Sequence, residues 1–152
     1  MKKVFLGGTC AGSTWRDIFI QYHLDESVAY FNPVVEEWTE ECYQEELLQR
    51  QICDYVLYVI TPLMKGVYSI AEVVDDSNKR PSKTIFCVLY TEMVLKDFDI
   101  YSNELVYETL TFGKEQLKSL HKVGQMVRSN GGEYFNCLED VANFLNLHCN
   151  GK

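Results

Sequence analysis

Short, nearly unbroken apolar runs alternate along this chain with longer segments whose apolar residues recur at helical spacing. Val4-Phe5-Leu6-Gly7 is the first run, closed by glycines, and it reads as a buried strand. Ser13 or Thr14 caps a helix running to about His23, and Val28-Ala29-Tyr30-Phe31 is a second strand stopped by Asn32-Pro33. Thr39 caps a helix to Ile52 that turns Tyr43, Leu47, Leu48 and Ile52 to one side. Asp54 then opens Tyr55–Ile60, the clearest strand of the chain, which Thr61-Pro62 ends. A helix entered through Gly66 carries Ile70, Val73 and Val74 inward and finishes near Asn78. Thr84–Tyr90 is a fourth buried strand, and the stretch from Thr91 to Phe112 reads as a loop with a short helix. A helix from about Gly113 to Ser129 follows, then a fifth strand at Glu133-Tyr134-Phe135. Asn136 caps a last helix that buries Leu138, Val141, Phe144 and Leu145.

Strands that are apolar throughout, alternating with helices, predict a five-stranded parallel sheet covered on both faces. Right-handed crossovers make this a doubly wound α/β fold of the flavodoxin or Rossmann kind. Ligands of such sheets sit beyond the carboxyl ends of the strands. That rule directs attention to Gly7–Arg16, Asn32–Trp38, Thr61–Glu72 and the segment after Tyr90.

Composition narrows the picture. The 152 residues, 47% hydrophobic and 24% charged, suit one globular domain spanning 1–152. The apolar run after Met1 is too short for a signal peptide, and no stretch approaches the ~18 apolar residues of a membrane span. Six scattered cysteines without zinc spacing fit a cytoplasmic protein. Cys53 and Cys87 read as core residues, while Cys10 is the one in a glycine-bearing loop. A net charge of −8, with no basic stripe in the sequence, disfavours non-specific binding to DNA or RNA and disfavours an anionic membrane surface, so neither partner is expected. A small ligand stays open.

Gly7-Gly8-Thr9-Cys10-Ala11-Gly12-Ser13-Thr14 follows the first strand and opens a helix. It nearly spells a triphosphate-binding loop, but Ser13 stands where that loop needs lysine. What remains is a turn whose amides and helix dipole can hold an anion, with Arg16 adding a charge-assisted bond. The alternative is a plain tight turn with a surface arginine. Asn32 ends a strand at the ligand edge, and Trp38 is placed either to stack on a base or to cover the core.

Glu46 stands out from an acidic run by position, eight residues before Asp54. That is about 12 Å back along its helix at ~1.5 Å per residue, level with the upper part of the sheet. Glu72 lies in the second turn of the helix entered through Gly66, where the dipole favours an ionised carboxylate. Two nearby carboxylates are what glycosyl transfer with retention requires, one as nucleophile and one as proton handler. Asp75-Asp76 has no companion metal ligands, and His23, His121 and His148 form no catalytic pattern. No metal or other cofactor is expected.

These segments together resemble the nucleoside 2-deoxyribosyltransferase superfamily, most closely its short deoxyribosyltransferase-like branch, related to the nucleoside 5′-monophosphate N-glycosidases. The likeness rests on Val4-Phe5-Leu6-Gly7-Gly8, on Glu46 before Asp54, on Thr61-Pro62 and on Gly66-Val67-Tyr68-Ser69-Ile70-Ala71-Glu72. The resemblance implies that Glu72 is the nucleophile, attacking an anomeric carbon to form a glycosyl-enzyme ester. It implies that Glu46 serves as the acidic residue near sugar and base. Gly7, Gly8, Ser13, Thr14, Arg16, Asn32, Trp38, Gly66 and Ser69 would line the ligand site. It further implies a homodimer or higher homo-oligomer. Phe5 stands where the family commonly carries a tyrosine beside the nucleophile.

Two functions follow. The first is cleavage or exchange of the N-glycosidic bond of a nucleoside or nucleotide. The second, motivated by Phe5, is binding or sequestering of a nucleotide without turnover. A flavin-dependent electron carrier fits less well, because no flavin phosphate loop is recognisable.

Overall fold

The computed structural model describes residues 1–10 and 12–151; Ala11, inside the glycine-rich loop, and Lys152 lie outside the described residues. The elements in chain order are β1 (Lys3–Gly8), α1 (Trp15–Tyr22), β2 (Ala29–Phe31), α2 (Glu40–Ile52), β3 (Tyr55–Ile60) and α3 (Tyr68–Lys79). They continue with β4 (Thr84–Val88), β5 (Thr91–Asp99), β6 (Glu104–Thr111), α4 (Lys114–Ser129), β7 (Glu133–Phe135) and α5 (Leu138–Cys149).

The five predicted strands pair in parallel in the order β2-β1-β3-β4-β7. Alternate side chains of each strand point to opposite faces, and both faces are covered. Val4, Leu6, Leu57, Val59, Ile85 and Cys87 pack against α1 and α5 on one side. Phe5, Val56, Tyr58, Ile60, Phe86 and Val88 pack on the other, with Val73 of α3 and Leu120 and Val127 of α4. This is the doubly wound α/β architecture, and its strand order reverses between β1 and β3. A ligand crevice opens at such a switch point. No helix among the described residues is long and apolar enough to cross a membrane.

Gly8 is what lets β1 end so close to β3. It has φ +116°, and a Cβ there would stand 2.0 Å from the Val59 carbonyl oxygen. Only glycine meets both demands.

Four expectations are corrected. Thr91–Phe112 is not a loop with a short helix but an antiparallel ribbon, β5 paired with β6, irregular between Leu95 and Asp97. On α2, Leu48 and Ile52 are 47% and 58% exposed, and the buried residues are Gln49 and Arg50. The face of α2 that meets the protein is therefore polar at its end, for a reason found in the cleft. The strand expected to reach Tyr90 stops at Val88. The last helix is capped at Cys137 rather than Asn136, with no side-chain cap bond.

Candidate active site

At the carboxyl edge of β1 and β3 a cleft of about 270 Å³ brings together Glu46 from α2, Ser69 and Glu72 from α3, and Gly7, Gly8 and Arg16. Phe5 and Trp38 complete two of its walls. An adjoining recess of about 210 Å³, sharing Cys10, Arg16 and Val34 with it, holds Ser13 and Asn32. A third recess, on the α3 side, is lined by Gly66 and Ser69 with Cys10 and Lys65. The predicted residues thus meet at one edge, divided among neighbouring hollows; Asn32 and Ser13 stand apart from the two carboxylates.

Glu72 is held from below by a buried charge network. Arg50, in the last turn of α2, places one terminal nitrogen 3.3 Å from Glu72 Oε2. Its Nε and other terminal nitrogen donate to the two oxygens of Asp76, each at 3.0 Å. The Tyr58 hydroxyl of β3 donates to the same carboxylate at 2.6 Å, and Arg80 pairs with it at 2.8 Å. Such a bidentate fork fixes both position and orientation. Asp76 is fully buried, and these donors satisfy its carboxylate oxygens. The polar end of α2 follows from this: Arg50 is turned inward to serve Asp76 and Glu72.

The electrostatics of Glu72 differ from the expectation of a dipole-stabilised carboxylate. Burial pushes its carboxyl up to about 7, with Arg50 pulling the other way and Glu46 and Asp76 adding to the rise. Desolvation outweighs the helix dipole because the carboxylate sits in the fifth residue of α3 with its side chain 11% exposed. Burial also raises Glu46, against the opposing influence of Trp38, Arg50 and Arg16. Two acids with raised proton affinity therefore face one cleft.

The glycine-rich loop is also used differently from the prediction. Arg16 is 4% exposed and turns its guanidinium to the loop itself. It donates to the carbonyls of Leu6 at 2.9 Å, Thr9 at 2.7 Å and Gly8 at 3.2 Å. Arg16 braces the turn, so its hydrogen bonds are committed to the protein. The anion at the start of α1 is the protein's own. Glu92 of β5 accepts from the Ser13 hydroxyl at 2.5 Å and from the Thr14 amide at 3.2 Å. Neither Ser13 nor Thr14 is free to present those groups to a ligand.

Trp38 does not cover the core. It is 61% exposed and leans on Tyr43 at 5.7 Å between ring centroids, with one side to the cleft. Asn32 accepts from the Val34 amide at 3.1 Å, a local turn after β2. No group of three or more His, Cys, Asp or Glu side chains among the described residues is placed to share a metal ion.

Arg50, Tyr58, Asp76 and Glu92 are the residues that reading the sequence misses. Two of the signals were present. Glu46 and Arg50 are four apart on α2, as are Glu72 and Asp76 on α3, so each pair occupies one helix face. Asp76, weighed with Asp75 as a metal ligand, is an ion-pair partner instead.

The family model described as nucleoside 2-deoxyribosyltransferase like matches residues 1–90. The match ends where β4 has just finished, so every residue named in the cleft and its network except Glu92 lies inside it. No curated protein matches the chain.

Proposed function

The chain belongs to the nucleoside 2-deoxyribosyltransferase-like family, and from that premise we propose that it breaks or exchanges the N-glycosidic bond of a nucleoside or nucleotide. The observation that carries this reading is the meeting of Glu46 and Glu72 in one cleft at the sheet's switch point. In its ionised form Glu72 attacks the anomeric carbon. The electron pair of the breaking C–N bond leaves with the base, and Glu46, its proton affinity raised by burial, supplies the proton that the base takes up. The product is an ester between Glu72 and the sugar. Water or a second base then attacks the same carbon, regenerating the Glu72 carboxylate, while Glu46 accepts the proton. Arg50, anchored by Asp76, positions the Glu72 carboxylate and opposes its protonation.

The cleft, at about 270 Å³, falls just below the usual range of ligand sites, about 300–1,000 Å³. That size suits a nucleoside better than a polymer. Trp38 supplies an exposed aromatic face for a base.

Phe5 favours a second reading. Its ring lines the cleft, stacked 5.9 Å from Phe31, and brings no hydroxyl to Glu72. On that reading the protein binds a nucleoside or nucleotide and performs no chemistry.

Incubation with ribo- and deoxyribonucleosides and their 5′-monophosphates, with and without an acceptor base, separates the two. Free base released by the wild type and absent with Glu72→Gln is the expected result, and acceptor dependence distinguishes transfer from hydrolysis. Ligand-induced stabilisation without any product replaces this reading with the second one.

A further inference from the structure

Helices α2 and α3 face each other beneath the cleft in matched layers. Residues three or four apart share a helix face. Tyr43, Glu46 and Arg50 therefore form one row on α2, and Tyr68, Glu72 and Asp76 another on α3. At the inner end the rows meet as ions, Arg50 lying 3.3 Å from Glu72 and 3.0 Å from Asp76. In the middle stand the two acids, both lining the cleft. At the outer end the rows meet as phenols, where Tyr43 holds the Tyr68 hydroxyl and strengthens its grip on its proton. Glu72 thus has its partner in Arg50. Glu46 has no such anchor: among the described residues no ion pair forms on it. The charged groups facing it are Arg16 of α1, Arg50 of its own helix and Glu72 of α3. Both arginines are committed elsewhere, and Glu41 and Glu45 border its outer side with further negative charge.

The group left to aim Glu46 is Trp38. It lines the same cleft and stands directly before Thr39, the cap of α2. Its ring leans on Tyr43, with 5.7 Å between centroids and 53° between planes. Tyr43 lies three residues before Glu46 on one helix face, so a ring pinned to Tyr43 stands beside the Glu46 side chain. The indole carries one donor and no acceptor. Burial raises the proton affinity of Glu46, and Trp38 is the leading influence against that rise, which is what a donor beside a carboxylate does. At 61% exposure the ring still has surface to offer a ligand.

We propose that Trp38 is a positioning residue, whose indole N–H donates to one oxygen of the Glu46 carboxylate and aims the other at the base lying against the ring. The inference rests on the reading of Glu46 as the proton handler. A carboxyl group that has taken up a proton still accepts through its second oxygen. The indole contact therefore lasts through both halves of the reaction, and the proton travels on the oxygen that faces the cleft. One side chain then brings the leaving base and the acid together in a fixed geometry.

The indole N–H signals of a ¹H–¹⁵N correlation spectrum test this without any turnover, since the chain has two tryptophans. Trp15 is buried and its Nε1 donates to the Thr9 carbonyl at 2.9 Å, so its signal should stay still with pH. The Trp38 signal is expected to move between about pH 4 and 8, over the carboxylate range as burial raises it. The movement should persist in Glu72→Gln and vanish in Glu46→Gln. A Trp38 signal that ignores pH, or one that moves equally in Glu46→Gln, overturns the proposal. Activity supplies the second arm. Trp38→Phe keeps an aromatic face and loses the N–H, so kcat should fall about tenfold with KM within about twofold, the acid being present but unaimed. Trp38→Ala should raise KM as well. An unchanged kcat in Trp38→Phe overturns the proposal too. A wild type that turns over no nucleoside ends the glycosidic reading, and the Trp38 signal then decides by itself whether the indole holds Glu46.

Discussion

Glu72 is pulled in opposite directions by burial and by Arg50, and burial wins, leaving its carboxyl at about 7. A nucleophilic carboxylate must be ionised, so kcat/KM should rise with pH through an apparent value near 7, measured with whichever nucleoside turns over. The same shift has a stability consequence. The folded state holds the Glu72 proton more tightly than the unfolded chain. Its contribution is therefore full below the ordinary glutamate range and lost as pH rises through about 7. Glu72→Gln should abolish turnover and yet melt higher than the wild type at pH 8, by on the order of 2 kcal/mol, with little gain at pH 4. Equal melting of the two proteins at pH 8 would show that the carboxylate is not strained by its site. Arg50 is the counterweight. Arg50→Met should move the acid limb of the pH–rate profile upward and cost roughly 3–5 kcal/mol in urea unfolding, because Asp76 loses its fork. Arg50→Lys keeps the charge but not the two parallel bonds. It should restore the pH profile more fully than the stability; a limb that stays in place in both variants would remove Arg50 from its positioning role.

At the scale of elements, the starting turn of α1 and the ribbon are tied by one carboxylate. Helix α1 has no side-chain cap from Thr14, and Glu92, 78 residues away in sequence, takes that place on the Thr14 amide. Glu92→Ala should cost about 1 kcal/mol, the usual worth of a cap. It should also speed amide exchange at Thr14 and Trp15, with exchange in α5 unchanged. Protection that is the same in both proteins would mean the contact carries no weight. This tie also explains what the sequence could convey. The β1, β3 and β4 strands are legible because burial on both faces demands continuous apolar runs, and Glu72 because it follows one of them at the ligand edge. The ribbon is illegible for the opposite reason: Lys96 breaks the alternation at its midpoint, and both of its faces lack cover within one chain. The sequence places Arg16 one turn into the helix, within reach of the loop, but does not give the direction of its guanidinium. That direction is set by the carbonyls of Leu6, Gly8 and Thr9, which accept its hydrogen bonds.

For the molecule as a whole, charge bears on which ligands the cleft accepts. The net charge is −8, and the cleft itself presents Glu46 and Glu72. Arg16, its lining cation, is spent on backbone carbonyls, and Arg50 behind it is spent on Asp76 and Glu72. Lys65, in the neighbouring recess, is the one lining cation there, and it is exposed to solvent. An incoming 5′-monophosphate thus meets a negative field with little fixed positive charge to offset it, whereas an uncharged nucleoside meets no such barrier. The nucleoside should therefore show the higher kcat/KM of the two. Its advantage should shrink as ionic strength rises from about 0.01 to 0.15 M, over which the screening length falls from about 30 to 8 Å. Lys65→Gln should widen the gap at low salt and leave the nucleoside rate unchanged. A monophosphate that reacts faster than its nucleoside at low salt, and loses that lead on Lys65→Gln, would reverse the preference and make Lys65 the phosphate's partner.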